Sequence, residues 1–252
     1  MARANRGALR LHERSAVTIH ASFEHFSKKR GSRFAVEDLT FDVPAGRVVG
    51  LIGPNGAGKS TALAGLTGLL EATSGNATVF GVDYRSLRRP ASRVGVNLDG
   101  MDVEPGLTGR RHLQICQLAA GVGRESVERV LKQVGLGGEA NKKVRDYSLG
   151  MKQRLGIGSA LVGDPRLLVL DEPANGLDPE GIQWLRRFLR EFAAAGGSAL
   201  VSSHQLMELE QVADQVVILK QRVLFRGTLG EAKVLGGGSL EAAYFKILAG
   251  AQ

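Results

Sequence analysis

Short, wholly apolar runs bounded by turn residues recur along this chain, and longer stretches between them carry an apolar residue at every third or fourth position. "VTIHASF" (17–23) alternates as a half-buried strand does, and "AVEDLTFDVPAGRVVGLIG" (35–53) reads as two strands parted by a Pro-Ala-Gly turn. After the glycines at 53–58, Ala62, Leu63, Leu66, Leu69 and Leu70 make one face of a helix that ends near "TSG" (73–75), and "NATVFG" (76–81) returns to a strand. From about residue 101 to residue 160 the period changes. "GRRHLQICQLAAGV" and "RESVERVLKQVGLGG" are amphipathic helices, so a helical lobe is expected to interrupt an α/β core. The chain then alternates strand "PRLLVLDEP", helix "PEGIQWLRRFLREFAAAGG", strand "SALVSSH", helix "QLMELEQVAD" and strand "QVVILKQRVLF". "GGGS" (236–239) marks a hinge before a last helix. Alternating strands and helices predict a mostly parallel sheet covered on both faces. The expected organisation is a tail at 1–15, one domain at 16–235 containing the lobe, and a short closing helix at 236–252.

Composition narrows the class without naming it. A single cysteine, Cys116, excludes an internal disulfide framework and reads as a core thiol in a reducing compartment. No apolar run approaches the ~20 residues of a membrane span, and the polar, Arg-rich start lacks the apolar segment of a secretory signal. A cytoplasmic location is expected. The net charge of +8 points to anionic partners, among them nucleotides, nucleic acid and an acidic membrane face.

"GPNGAGKST" (53–61) supplies the chemistry for one of these. It fits G-x-x-x-x-G-K-[ST], with an apolar strand entering and a helix leaving. Gly53, Gly56 and Gly58 let the backbone turn its N–H groups inward around phosphate oxygens, with Pro54, Asn55 and Ala57 between them. Lys59 brings a point charge to the β and γ phosphates, Ser60 offers a hydroxyl to Mg²⁺, and Thr61 adds a second hydroxyl where the helix dipole is positive. This pattern alone specifies a nucleoside triphosphate and leaves kinases, GTPases and ATPases open.

"LLVLDEP" (167–173) ends a buried strand in two carboxylates, at the strand end where open α/β sheets hold ligands. Asp171 is placed to hold Mg²⁺, and Glu172 to poise an attacking water as general base. A second phosphate-facing end is less obvious. In "VRDYSLGMKQRLGIG" (144–158), Ser148 and Gly150 open a helix. By itself Ser148 is adequately explained as an N-cap, and Asp178 in "GLDP" likewise as the cap before Pro179.

Taken together, "GPNGAGKST", "YSLGMKQR", "LLVLDEP", "ANGLDP" (174–179) and "SSH" (202–204) resemble, in order and spacing, the ATP-hydrolysing subunit of ABC transporters over nearly the whole chain. The resemblance implies a P-loop core with an N-terminal antiparallel β subdomain and an inserted α-helical lobe. It implies ATP and Mg²⁺ as ligands. It also implies a dimer, expected to be a homodimer, in which Ser148 and Gly150 of one subunit reach the γ-phosphate held by the other. Asp178 would link the two sites, and His204 would contact the γ-phosphate. The implied partner is a separate transmembrane permease, which brings the chain to the membrane surface indirectly; no nucleic acid is expected.

Three positions depart from the family's pattern. Arg30 falls where an aromatic ring usually meets adenine; a guanidinium plane also stacks on a base, and Phe26 or Phe34 are substitutes. Asp99 stands in place of a glutamine near Mg²⁺, and Leu149 in place of a glycine. The last two are similar to the drug- and antibiotic-export branch. The alternative from another class is a soluble ABC-type ATPase acting on nucleic acid or ribosomes, which the basic charge keeps open.

Overall fold

The computed structural model describes residues 17–98 and 103–250. The expected tail and Asp99 lie outside the described residues. Two sheets form the frame. The first is antiparallel, in the order β2-β1-β4, from β1 (Ile19–Arg30), β2 (Arg33–Pro44) and β4 (Ser74–Val79). The second has six strands: β5 (Val94–Asn97), β6 (Leu167–Asp171), β7 (Ser198–Ser203), β3 (Val48–Ile52), β8 (Gln215–Lys220) and β9 (Arg222–Thr228), in that spatial order. All neighbours in it are parallel except β8 and β9.

The continuous apolar runs are explained by what covers them. Alternate residues of the central strands enter two separate cores. Val48, Ile52, Leu168, Leu170, Val216 and Ile218 face one core, shared with the helices that follow. Val49, Leu51, Leu167, Val169, Val217 and Leu219 face the other, against the antiparallel sheet and helix α1 (Lys59–Leu66). A strand buried on both faces has no polar side to show, so its sequence loses alternation.

Between β5 and β6 stand α2 (Gly109–Ala120), α3 (Glu125–Gln133) and α4 (Leu149–Leu161), where the amphipathic stretch predicted a lobe. Trp184, on α5 (Pro179–Ala194), joins this lobe to the core. Its indole N–H donates to the Gln133 carbonyl at 3.0 Å, and the Arg154 guanidinium lies 4.9 Å from its ring centroid. The last elements are α6 (Leu206–Glu210), α7 (Leu229–Leu235) and α8 (Leu240–Ala249). Glu210 ties them: it accepts the Leu240 N–H and pairs with Lys233.

Three expectations are corrected. The helix after the phosphate loop ends at Leu66, so Leu69, which is exposed, and Leu70 lie beyond it. "QVVILKQRVLF" is a hairpin rather than one strand. Gln221 takes φ +61° at its tip, and its N–H donates to the Ala57 carbonyl at 2.8 Å while its own carbonyl accepts from Glu37. The phosphate loop thus captures the backbone that would have continued the strand. "QLMELEQVAD" is helical only at its start, because the Asp214 carboxylate leaves to accept the Val48 N–H and pair with Arg47.

His20 is buried between the sheets, with Nδ1 2.9 Å from the Ser198 hydroxyl and its ring against Phe80. Burial first, and then the nearby Arg166 and Arg93 guanidiniums, holds its pKa below the usual ~6.5. The unfolded chain therefore takes up the proton first as pH falls. His20 leaves stability unaffected above pH about 6.5 and erodes it progressively below. The melting temperature is expected to fall between pH 7.5 and 5.5, and less steeply in His20→Gln. Equal slopes for the two proteins would contradict this assignment.

Candidate functional site

The phosphate loop leaves β3 at the centre of the parallel sheet and enters α1. Gly58 sits at φ +101°, and a Cβ there would lie 2.2 Å from Val36 Cγ1 and 2.5 Å from the Ala35 carbonyl oxygen. Only glycine lets the loop close this tightly onto β2. Pro54, Asn55, Gly56, Ala57, Gly58, Lys59, Ser60 and Thr61 line a cleft of about 640 Å³, whose other walls are Arg30, Ala35, Asp171, Glu172, Asn175 and His204. Gly53 lies just outside this lining, with its carbonyl accepting from Lys59 Nζ at 2.8 Å.

Asp171 and Glu172 emerge at the end of β6, beside that loop. Lys59 Nζ stands 3.7 Å from Glu172 Oε1. Glu172 Oε2 accepts the His204 N–H at 3.2 Å and lies 2.8 Å from His204 Nδ1. Glu172 has φ +48°, a conformation rarely adopted by a side-chain-bearing residue. Asn175 N–H donates to the Glu172 carbonyl, and Gln205 Nε2 holds the Asn175 side chain at 3.3 Å.

A divalent ion fits this donor set. Asp171 is 5% exposed, and a buried carboxylate requires compensating positive charge or hydrogen bonds. Its Oδ1 accepts the Ser202 hydroxyl. Among the described residues no cluster of three or more His, Cys, Asp or Glu side chains forms a metal cage. One carboxylate and the Ser60 hydroxyl, completed by substrate phosphates, are what Mg²⁺ ordinarily takes.

The ABC transporter sequence pattern matches residues 36–175, more than half of the chain. The chain belongs to the ABC transporter family. It is 41% identical to the bacitracin transport ATP-binding protein BcrA of Enterococcus faecalis, over 79% of this chain and 65% of that one. It is 39% identical to the lantibiotic transport ATP-binding protein SrtF of Streptococcus pyogenes, over 76% of this chain and 82% of that one. The match thus spans just under two thirds of BcrA and about four fifths of SrtF. A solved ATP-binding subunit of an ABC transporter superposes with a TM-score of 0.83 at 30% identity, covering 91% of this chain and 99% of that one.

Within this ABC chain, the predicted residues divide into two groups. Lys59, Ser60, Thr61, Asp171, Glu172, His204 and Arg30 meet in the cleft. Ser148, Gly150 and Asp178 are absent from its lining. Ser148 caps α4, accepting the Met151 N–H at 3.2 Å, and Asp178 caps α5, accepting the Gly181 N–H at 2.7 Å. These two caps are neighbours. Leu149 packs over Gly176, where an added Cβ would meet Leu149 Cγ at 2.4 Å, and Gly150 approaches the Gly176 carbonyl.

Of the substitutes for Arg30, Phe26 is 1% exposed in the core against Gly65 and cannot reach a base. Phe34 is half-buried, with the Lys29 ammonium 4.6 Å from its ring centroid, over one face. Cys116 is half-buried in the lobe, 3.7 Å from His112 Nε2, and burial raises its thiol pKa. Asn175 and Ser202 were not singled out from sequence, although both lie inside the quoted "ANGLDP" and "SSH" segments.

Proposed function

We propose that this chain is the ATP-hydrolysing subunit of an ABC exporter, acting as a homodimer on a separate transmembrane permease at the inner membrane face. The observation that carries this reading is the meeting of Lys59 and the phosphate loop with Asp171, Glu172 and His204 in one cleft. The relatives named for bacitracin and lantibiotic transport favour an antibiotic or similar compound as cargo. Among the described residues no helix is long and apolar enough to cross a membrane, which fits a division of labour with a permease.

The chemistry is phosphoryl transfer to water. Loop N–H groups and Lys59 hold the β and γ phosphates, and Arg30 offers its guanidinium plane to the adenine. Ser60 and Asp171 would hold Mg²⁺, whose charge would neutralise that of the phosphates. Glu172 accepts a hydrogen bond from the attacking water, positions it in line, and takes its proton as the bond to the leaving ADP oxygen breaks. His204 reports on the γ-phosphate through its contact with Glu172 Oε2. Ser148 and Gly150 present the N-terminus of α4 to the nucleotide of the facing subunit, and Asp178 links the two sites through the Leu149–Gly176 contact.

Phosphate release from Mg-ATP by the purified chain tests this reading. Hydrolysis is expected to exceed that of Lys59→Ala and to be indifferent to added RNA or DNA. Stimulation by nucleic acid would favour the ribosome- or nucleic-acid-directed alternative, and an absence of hydrolysis would overturn both.

A further inference from the structure

Ser202, on β7, sits in the middle of the parallel sheet, fully buried, in register with Asp171 of β6 on one side and Leu51 of β3 on the other. Most side chains buried in this sheet are apolar, as "VVGLI" and "LLVL" show, and the buried serines Ser198, Ser202 and Ser203 all lie on β7. A hydroxyl there must find partners or destabilise the fold. It finds two, both in the cleft: it donates to Asp171 Oδ1 and accepts the Glu172 N–H at 3.0 Å. Those are the hydroxyl's one hydrogen and one of its lone pairs.

We infer that Ser202 is a positioning residue for the metal and the water. It acts through the Asp171 carboxylate and the Glu172 backbone rather than by touching the nucleotide. Its donated hydrogen bond fixes the rotation of the Asp171 carboxylate and engages Oδ1, so Oδ2 is the oxygen that would be offered to the ion. Its accepted bond adds to the main-chain bond that the same Glu172 N–H makes to the Ser202 carbonyl at 3.2 Å, and together they hold this peptide at φ +48°, with the side chain towards Lys59 and His204. One hydroxyl thereby links the two acidic residues. Outer partners of this kind typically change metal affinity or activity by about 10- to 100-fold when removed.

The inference rests on the cleft being a Mg-ATP site, and the test separates the two. Nucleotide binding is followed with a fluorescent ATP analogue, once in EDTA and once across a Mg²⁺ titration, in the wild type and in Ser202→Ala, Ser202→Thr and Ser202→Val. Thr and Val have nearly the same shape and differ in the hydroxyl, so this pair removes packing from the comparison even where Ser202→Ala folds poorly. In Ser202→Ala and Ser202→Val the half-saturating Mg²⁺ concentration is expected to rise about tenfold. Binding in EDTA should stay within about twofold of the wild type, and Ser202→Thr should restore the Mg²⁺ response. A Mg²⁺ midpoint unchanged in Ser202→Val, or equal losses in the Thr and Val variants, would overturn the positioning role. A wild-type protein whose nucleotide binding ignores Mg²⁺ would instead overturn the reading of the cleft.

Discussion

Glu172→Gln is expected to lower ATP turnover by about 100-fold or more, the usual range for loss of a general base. The change is small in shape. Glutamine keeps a carbonyl oxygen able to accept the His204 N–H that Glu172 Oε2 now accepts at 3.2 Å. It loses the negative charge that faces Lys59 Nζ at 3.7 Å and the basicity needed to take a proton from water. Nucleotide affinity should therefore be kept or improved, because the phosphates no longer share the cleft with that carboxylate. Steady-state phosphate release and equilibrium nucleotide binding, measured on the same preparation, separate these effects. Turnover at the wild-type rate would remove Glu172 from the chemical step.

Ser148→Arg should be nearly as damaging to turnover, about 100-fold, by a different route. Ser148 is outside the cleft lining and caps α4 through the Met151 N–H. A long guanidinium arm at the helix mouth obstructs close approach of a second chain's triphosphate and removes a donor aimed at developing charge, a loss of about 10²–10³ in comparable sites. Losing the cap itself costs about 1 kcal/mol, which lowers the melting temperature by about 2–4 °C in a chain of this size. Binding of nucleotide to the isolated subunit should stay within about twofold, since no residue of that cleft is altered. A parallel loss of binding and turnover would contradict a role for Ser148 at a second chain's nucleotide. Ser148→Ala, which removes the cap without the bulk, shows how much of the loss is local.

Most of the cleft was legible in sequence because its chemistry is contiguous. The phosphate loop and "LLVLDEP" each follow a buried strand, and a strand end at the middle of a parallel sheet has one place to deliver its residues. The roles proposed for Ser148, Gly150 and Asp178 rest on resemblance alone, since Ser148 and Asp178 are satisfied as ordinary helix caps and Gly150 lies in the first turn of α4. The β8–β9 hairpin was hidden because Gln221 carries no turn signal; its φ of +61° is held by hydrogen bonds to Ala57 and Glu37, which are distant in sequence. Ser202 was hidden because a serine in a strand is unremarkable until its neighbour proves to be Asp171. The weak internal period of "VGVN" (94–97) concealed β5, a four-residue edge strand whose identity comes from pairing with β6.

In the proposed function Ser148 and Gly150, which lie outside the cleft lining, complete the nucleotide site of a second chain. Glu172→Gln should trap this dimer. Native mass spectrometry of this variant with Mg-ATP is predicted to give a complex of two chains and two nucleotides, reverting to single chains without nucleotide. One chain carrying one unhydrolysed ATP, with no higher species at saturating nucleotide, would contradict the claim that Ser148 and Gly150 complete a neighbour's site.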